Sequence, residues 1–122
     1  EMNKAWNNLT RWIVRYGDDA NADLRELQKY IWKDGLRANP SPLHFACIVE
    51  NTFIIDVLLR NNCNINVKDY QGRTPLHWAC CYGNYNAVKT LLNNGADTSI
   101  IDMDGNSVLH FAAEKGFLDI IQ

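Results

Sequence analysis

Between residues 75 and 95 the apolar positions fall twice at helical spacing. Leu76, Trp78 and Ala79 mark the inward side of a short helix that Gly83 ends. Ala87, Val88, Leu91 and Leu92 follow at i, i+1, i+4 and i+5, the apolar stripe of a second helix that Gly95 ends. Thr74-Pro75 opens the first helix, because the hydroxyl caps free N–H groups and proline is tolerated in the first turn. From Ala96 to Asn106 the helical period lapses, and Gly105 is available for a positive φ. This stretch is predicted to be a turn-containing finger.

The same pattern recurs. Pro42-Leu43-His44-Phe45-Ala46-Cys47 returns as Pro75-Leu76-His77-Trp78-Ala79-Cys80, and more weakly as Val108-Leu109-His110-Phe111-Ala112-Ala113, each time 33 residues on. Residues 40–72 align on 73–105 without a gap at 11 identities in 33, including Leu58-Leu59 on Leu91-Leu92, Asp69 on Asp102 and Gly72 on Gly105. The stretch Gly72-Arg73-Thr74-Pro75-Leu76-His77-Trp78-Ala79, followed by Leu91-Leu92-Asn93-Asn94-Gly95-Ala96-Asp97, closely resembles the ankyrin repeat. The resemblance covers residues 40–122 and implies an all-α solenoid of stacked helix pairs with short β-turn fingers. Glu50 and Asn62 replace the expected glycines, and Val108 replaces proline. Glu50 predicts a slightly longer or differently ended first helix.

The expected organisation is residues 1–39 as an N-terminal helical pair, 40–72 and 73–105 as full repeats, and 106–122 as a truncated one. The N-terminal helices are expected over residues 4–16 and 22–33, the second stopped by Gly35. Trp12, Tyr16 and Gly17 stand two periods before Trp78, Tyr82 and Gly83, which favours a degenerate capping repeat over an unrelated helical hairpin. At the other end Ile120 and Ile121 align with Ala87 and Val88, but no Leu-Leu pair follows. A repeat cannot bury its apolar face alone, so the expectation is a fragment of a longer array.

Charge narrows the function. With 12 basic and 14 acidic residues the net charge is -2, without the basic excess a nucleic-acid binder uses against phosphate. No apolar run approaches the roughly 18 to 20 residues of a membrane span, and the first residues, Glu1-Met2-Asn3-Lys4, form no apolar leader. Cys47, Cys63, Cys80 and Cys81 include no C-x-x-C pair. They read as free thiols in a reducing compartment, the cytoplasm or the nucleus.

His44, His77 and His110 share one repeat position, so stacking sets them about 10 Å apart, too far to share a metal whose ligand bonds are near 2 Å. The resemblance gives this histidine a structural role, tying loop backbone between repeats. His44 with Cys47 and His77 with Cys80 are i, i+3 pairs, but the cysteines fall where the repeat wants a small core residue. Asp69, Asp102 and Asp104 read as turn formers. Asn66 occupies a position that can be hydroxylated in the resembled family, although Asn64 stands where an acidic residue is usual. No catalytic residue, metal ligand or cofactor is expected.

The resemblance leaves the surface, where finger tips and first helices line a concave partner-binding face. By register the second repeat supplies Tyr70, Gln71, Arg73, Cys81 and Tyr82, the third Met103, Asp104, Asn106, Glu114 and Lys115, and the first Ile48 and Val49. Two tyrosines, an arginine and a methionine match the composition of binding hot spots. The function this implies is a monomeric, non-catalytic protein–protein interaction module. The alternatives are a regulatory or targeting segment of a larger enzyme or channel, and a pathogen effector that binds a host protein.

Overall fold

The computed structural model describes residues 11, 15, 41–49, 52–60 and 63–116. Of the expected N-terminal helical pair only Arg11 and Arg15, both helical, are described; the rest of it, Glu50, Asn62, Ile120 and Ile121 lie outside the described residues. Beyond Arg11 and Arg15, the described residues form five α-helices: α1 (Pro42–Ala46), α2 (Phe53–Arg60), α3 (Pro75–Cys81), α4 (Tyr85–Asn93) and α5 (Val108–Lys115). The α3 helix packs against α1 and α5, and α2 packs against α4. First helices therefore stack on first helices and second on second, which makes an all-α solenoid. One finger (residues 63–73) joins α2 to α3, and another (residues 96–106) joins α4 to α5. An antiparallel bridge, Ile101 to Ser107, closes the base of the second finger.

Each first helix begins with the same local chemistry. Thr74 is extended (φ -85°, ψ 168°) and its Oγ1 accepts from the His77 N–H at 3.3 Å. The His77 Nδ1 accepts in turn from the Thr74 N–H at 3.1 Å. Two free donors are thus satisfied reciprocally, a capping box with histidine in the third position. Ser41 with His44 repeats it, and at the third copy the Ser107 N–H donates to the His110 Nδ1 at 3.0 Å. The Gly95 N–H bonds back to Leu92 at the end of α4, and φ of +83° there is open to glycine without Cβ strain.

The helix α1 is differently ended and shorter than α3, five residues against seven. Its last turn tightens into i, i+3 bonds, Cys47 to His44 and Ile48 to Phe45. The Asn84 Nδ2 then donates to the carbonyls of Cys47 (2.9 Å) and Val49 (2.8 Å), while its Oδ1 accepts from the Ala87 N–H at 3.2 Å. One side chain ends the first helix of one repeat and caps the second helix of the next.

The core is continuous through the stack. Leu43, Ile54, Ile55, Leu58, Leu76, Val88 and Leu91 are its largest apolar side chains, filled in by Ala46, Cys47, Ala79, Cys80, Ala87 and Ala112. Small residues on α1, α3 and α5 let these helices approach closely. Val108, in the usual proline position, is fully buried. Trp78, expected among the core residues, is only half-buried and packs against the core from the side of the fingers.

Candidate functional site: the fingers and first helices

The two fingers are built by the same turn. In the first, the Asp69 Oδ1 accepts from the N–H groups of Gln71 and Arg73, both at 2.9 Å. In the second, the Asp102 Oδ1 accepts from Asp104 (2.9 Å) and Asn106 (2.8 Å). Burial pulls both carboxyls upward, but the donors facing them outweigh it and hold both below the usual aspartate range. For Asp69 these donors are the Trp78 indole and the Arg73 and Gln71 N–H groups; for Asp102, the Asn106 N–H, the Arg73 side chain and the Asp104 N–H. The fingers lie side by side, with the Met103 N–H on the Gln71 carbonyl at 2.8 Å. Gly72 makes this approach possible: a Cβ there would stand 3.2 Å from the Met103 nitrogen, in a backbone at φ +76°.

His44 and His77 tie α1 and α3 to the ends of the two fingers. His44 and His77 accept at Nδ1 from their capping N–H groups, so Nε2 carries the proton. That N–H donates to the Arg73 carbonyl from His44 (2.8 Å) and to the Asn106 carbonyl from His77 (3.2 Å). Burial lowers both pKa values, partly offset by these carbonyl bonds. Both ring nitrogens are occupied, so neither histidine is free to act as a base toward its i+3 cysteine. Burial also pushes the Cys80 thiol up to about 12 and the Cys63 thiol up to about 11, and it raises Cys47 further still. Among the described residues no three His, Cys, Asp or Glu side chains are grouped to hold a metal.

The 33-residue period, the capping boxes and the histidine ties agree with what sequence comparison finds. A family model for ankyrin repeats, three copies long, matches residues 2–102. The chain belongs to the ankyrin-repeat family. Ankyrin repeats are in general protein–protein interaction modules without catalytic activity. No curated protein matches the chain. No helix among the described residues is long and apolar enough to cross a membrane.

On this ankyrin framework the surface residues expected from sequence divide into two groups. Tyr70 (79% exposed), Met103 (78%) and Tyr82 (62%) stand out into solvent. Gln71, Asp104, Glu114 and Lys115 are exposed with them, and Cys81 is half-buried. Four others are drawn into the structure. Val49 is buried, because α1 ends early and the chain turns inward under Asn84. Ile48 is half-buried and packs on the core, although it also lines, with Tyr82, Gly83, Asn84, Tyr85 and Asn86, an open groove of about 590 Å³. Arg73 is half-buried: its Nε donates to the Asp102 Oδ2 at 3.2 Å and its guanidinium lies 5.4 Å from the Phe111 ring centre. Asn106, also half-buried, gives its carbonyl to His77 and to the Asp102 N–H. Asn66 has its Oδ1 on the Asp97 N–H at 2.9 Å, a link between the two fingers.

Sequence reasoning missed an aromatic row. Phe45, Trp78 and Phe111 occupy one repeat position, and all three are half-buried. The Trp78 ring meets Phe45 edge-on at 5.4 Å, His44 at 5.2 Å and Tyr82 at 6.0 Å. Phe111 meets His77 edge-on at 5.9 Å. The signal was the aromatic character of this one position in all three copies.

Proposed function

We propose that this ankyrin array is a non-catalytic interaction module that takes a protein partner on the face formed by its finger tips and first helices. One observation carries the reading: Tyr70, Met103 and Tyr82 are large, more than half exposed, and outside the core. A chain of contacts links the parts of the structure that carry them. Tyr82 packs on Trp78, Trp78 holds the finger that bears Tyr70, and Met103 is bonded beside it. Exposed tyrosine and methionine beside polar Gln71, Asp104, Glu114 and Lys115 suit a protein surface. The engaged histidines and raised thiol pKa values support a role without catalysis. The free thiols support a reducing compartment, the cytoplasm or the nucleus, and we take the acting species to be a monomer.

The test is a partner captured by the full chain and titrated against a Tyr70→Ala, Tyr82→Ala, Met103→Ala triple variant. Each truncation should change stability by no more than about 0.5 kcal/mol, as at exposed sites. Affinity should fall by about 1–3 kcal/mol for each true anchor. A folded triple variant that binds with unchanged affinity would place the interface elsewhere.

A further inference from the structure

Asp69 and Asp102 hold their turns identically through one carboxylate oxygen, but the second oxygen is used differently. The Asp69 Oδ2 accepts from the Trp78 Nε1 at 2.9 Å, an indole on α3, the helix this finger leads into. Phe111 stands at the matching position of the third repeat and has no donor to give Asp102. The Asp102 Oδ2 accepts instead from the Nε of Arg73, which belongs to the preceding finger. Arg73 is itself set by Asp69, through its backbone N–H. A chain of direct bonds therefore runs from Trp78 to Asp69, through the first finger to Arg73, and on to Asp102 and the second finger. Tyr70 and Met103 sit at the two tips it controls.

We propose that the two fingers present their exposed side chains as one coupled unit, with Trp78 and Arg73 as its positioning residues. Trp78 anchors the first finger to α3, and Arg73 passes that placement to the second. The turn aspartate of the second finger has no indole to bond, so beyond the His77 tie at the base of that finger its second oxygen is held by the neighbouring finger. Partner contacts at Tyr70 and Met103 are then presented in a fixed relation, and ordering one finger orders the other. The significance for binding rests on the function proposed above; the coupling itself does not.

Amide hydrogen exchange on the full chain tests the coupling without any partner. Trp78→Phe keeps a ring against Phe45 and Tyr82 but removes the indole donor. It should accelerate exchange at Gln71 and Arg73, and also at Asp104 and Asn106 in the other finger, by roughly three- to tenfold, the range one hydrogen bond commands. Asp69→Asn retains an oxygen for the turn but puts an amide opposite the indole. It should give the same pattern with Trp78 intact, which separates the bond from the packing of the ring. Arg73→Met should accelerate Asp104 and Asn106 while leaving the first finger protected. Acceleration confined to Gln71 and Arg73 in both Trp78→Phe and Asp69→Asn would overturn the proposal. So would unchanged protection at Asp104 and Asn106 in Arg73→Met. Coupled fingers in a chain whose triple variant at Tyr70, Tyr82 and Met103 still binds would remove the binding assignment alone.

Discussion

Arg73 shows how much a single contact changes the meaning of a residue. Its repeat position marks a surface anchor, and truncation of such a residue normally costs little. Here its guanidinium faces Asp102, whose side chain is fully buried, and lies against Phe111. Arg73→Ala would leave that carboxylate without one of its donors and uncover part of an aromatic ring. We expect a loss of about 1–3 kcal/mol of folding stability, against about 0.5 kcal/mol or less for Tyr70→Ala. Arg73→Lys should recover little of it, because an ammonium does not reproduce the geometry of the guanidinium Nε. Urea denaturation of the three variants measures this directly. A loss for Arg73→Ala no larger than that for Tyr70→Ala would return Arg73 to the free surface.

At the scale of helices and loops, the junction at Asn84 carries the most consequence. Removing its side chain uncaps α4 and strips a donor from two carbonyls at the end of α1. Asn84→Ala should cost about 1–3 kcal/mol, more than an ordinary cap, since two repeats lose contacts at once. Thermal melts beside Asn86→Ala, an exposed neighbour on the same helix, supply the comparison. Equal melting temperatures would show the junction to be incidental. The helices themselves were legible because their signals are local: Thr74-Pro75 at the start, the Ala87, Val88, Leu91 stripe, and Gly83 and Gly95 at the ends. The turn-forming aspartates were legible for the same reason. What the residue pattern hid was decided between repeats. Arg73 meets Asp102 from 29 residues away, and Asn84 reaches Cys47 from 37 away. Val49 turned inward because α1 stopped early, which Glu50 signalled only as a difference. Trp78 looked like core because its ring is apolar, while its N–H found a carboxylate at the edge.

At the scale of the stack, the two described seams between repeats are tied by neutral histidines, and this gives the molecule a definite response to acid. His44 ties the first described repeat to the second and His77 ties the second to the third, each through a protonated Nε2 and an accepting Nδ1. A second proton would land on Nδ1, which already faces a backbone N–H. Burial lowers both pKa values below the ordinary 6.5, against the opposing pull of the carbonyl bonds and of Asp69 and Asp102, while His77 beside His44 and Arg73 beside His77 add to the lowering. The unfolded chain therefore takes up protons first as pH falls. The stability these residues contribute is fully present above about pH 6.5 and is lost as pH drops below it, at up to about 1.4 kcal/mol per pH unit for each histidine. Asp69 and Asp102 act in the same direction at lower pH. Their depressed pKa values stabilise the fold above about pH 4, and that contribution fades as the carboxylates protonate. Denaturant midpoints should hold level from about pH 8 to 7, decline below about 6.5, and decline further below about 4. A His44→Gln, His77→Gln variant should start less stable at neutral pH but lose the first decline and keep the second. A wild-type midpoint that stays constant down to pH 5 would mean that the seams do not depend on neutral imidazole, and the tautomers assigned to His44 and His77 would have to be abandoned.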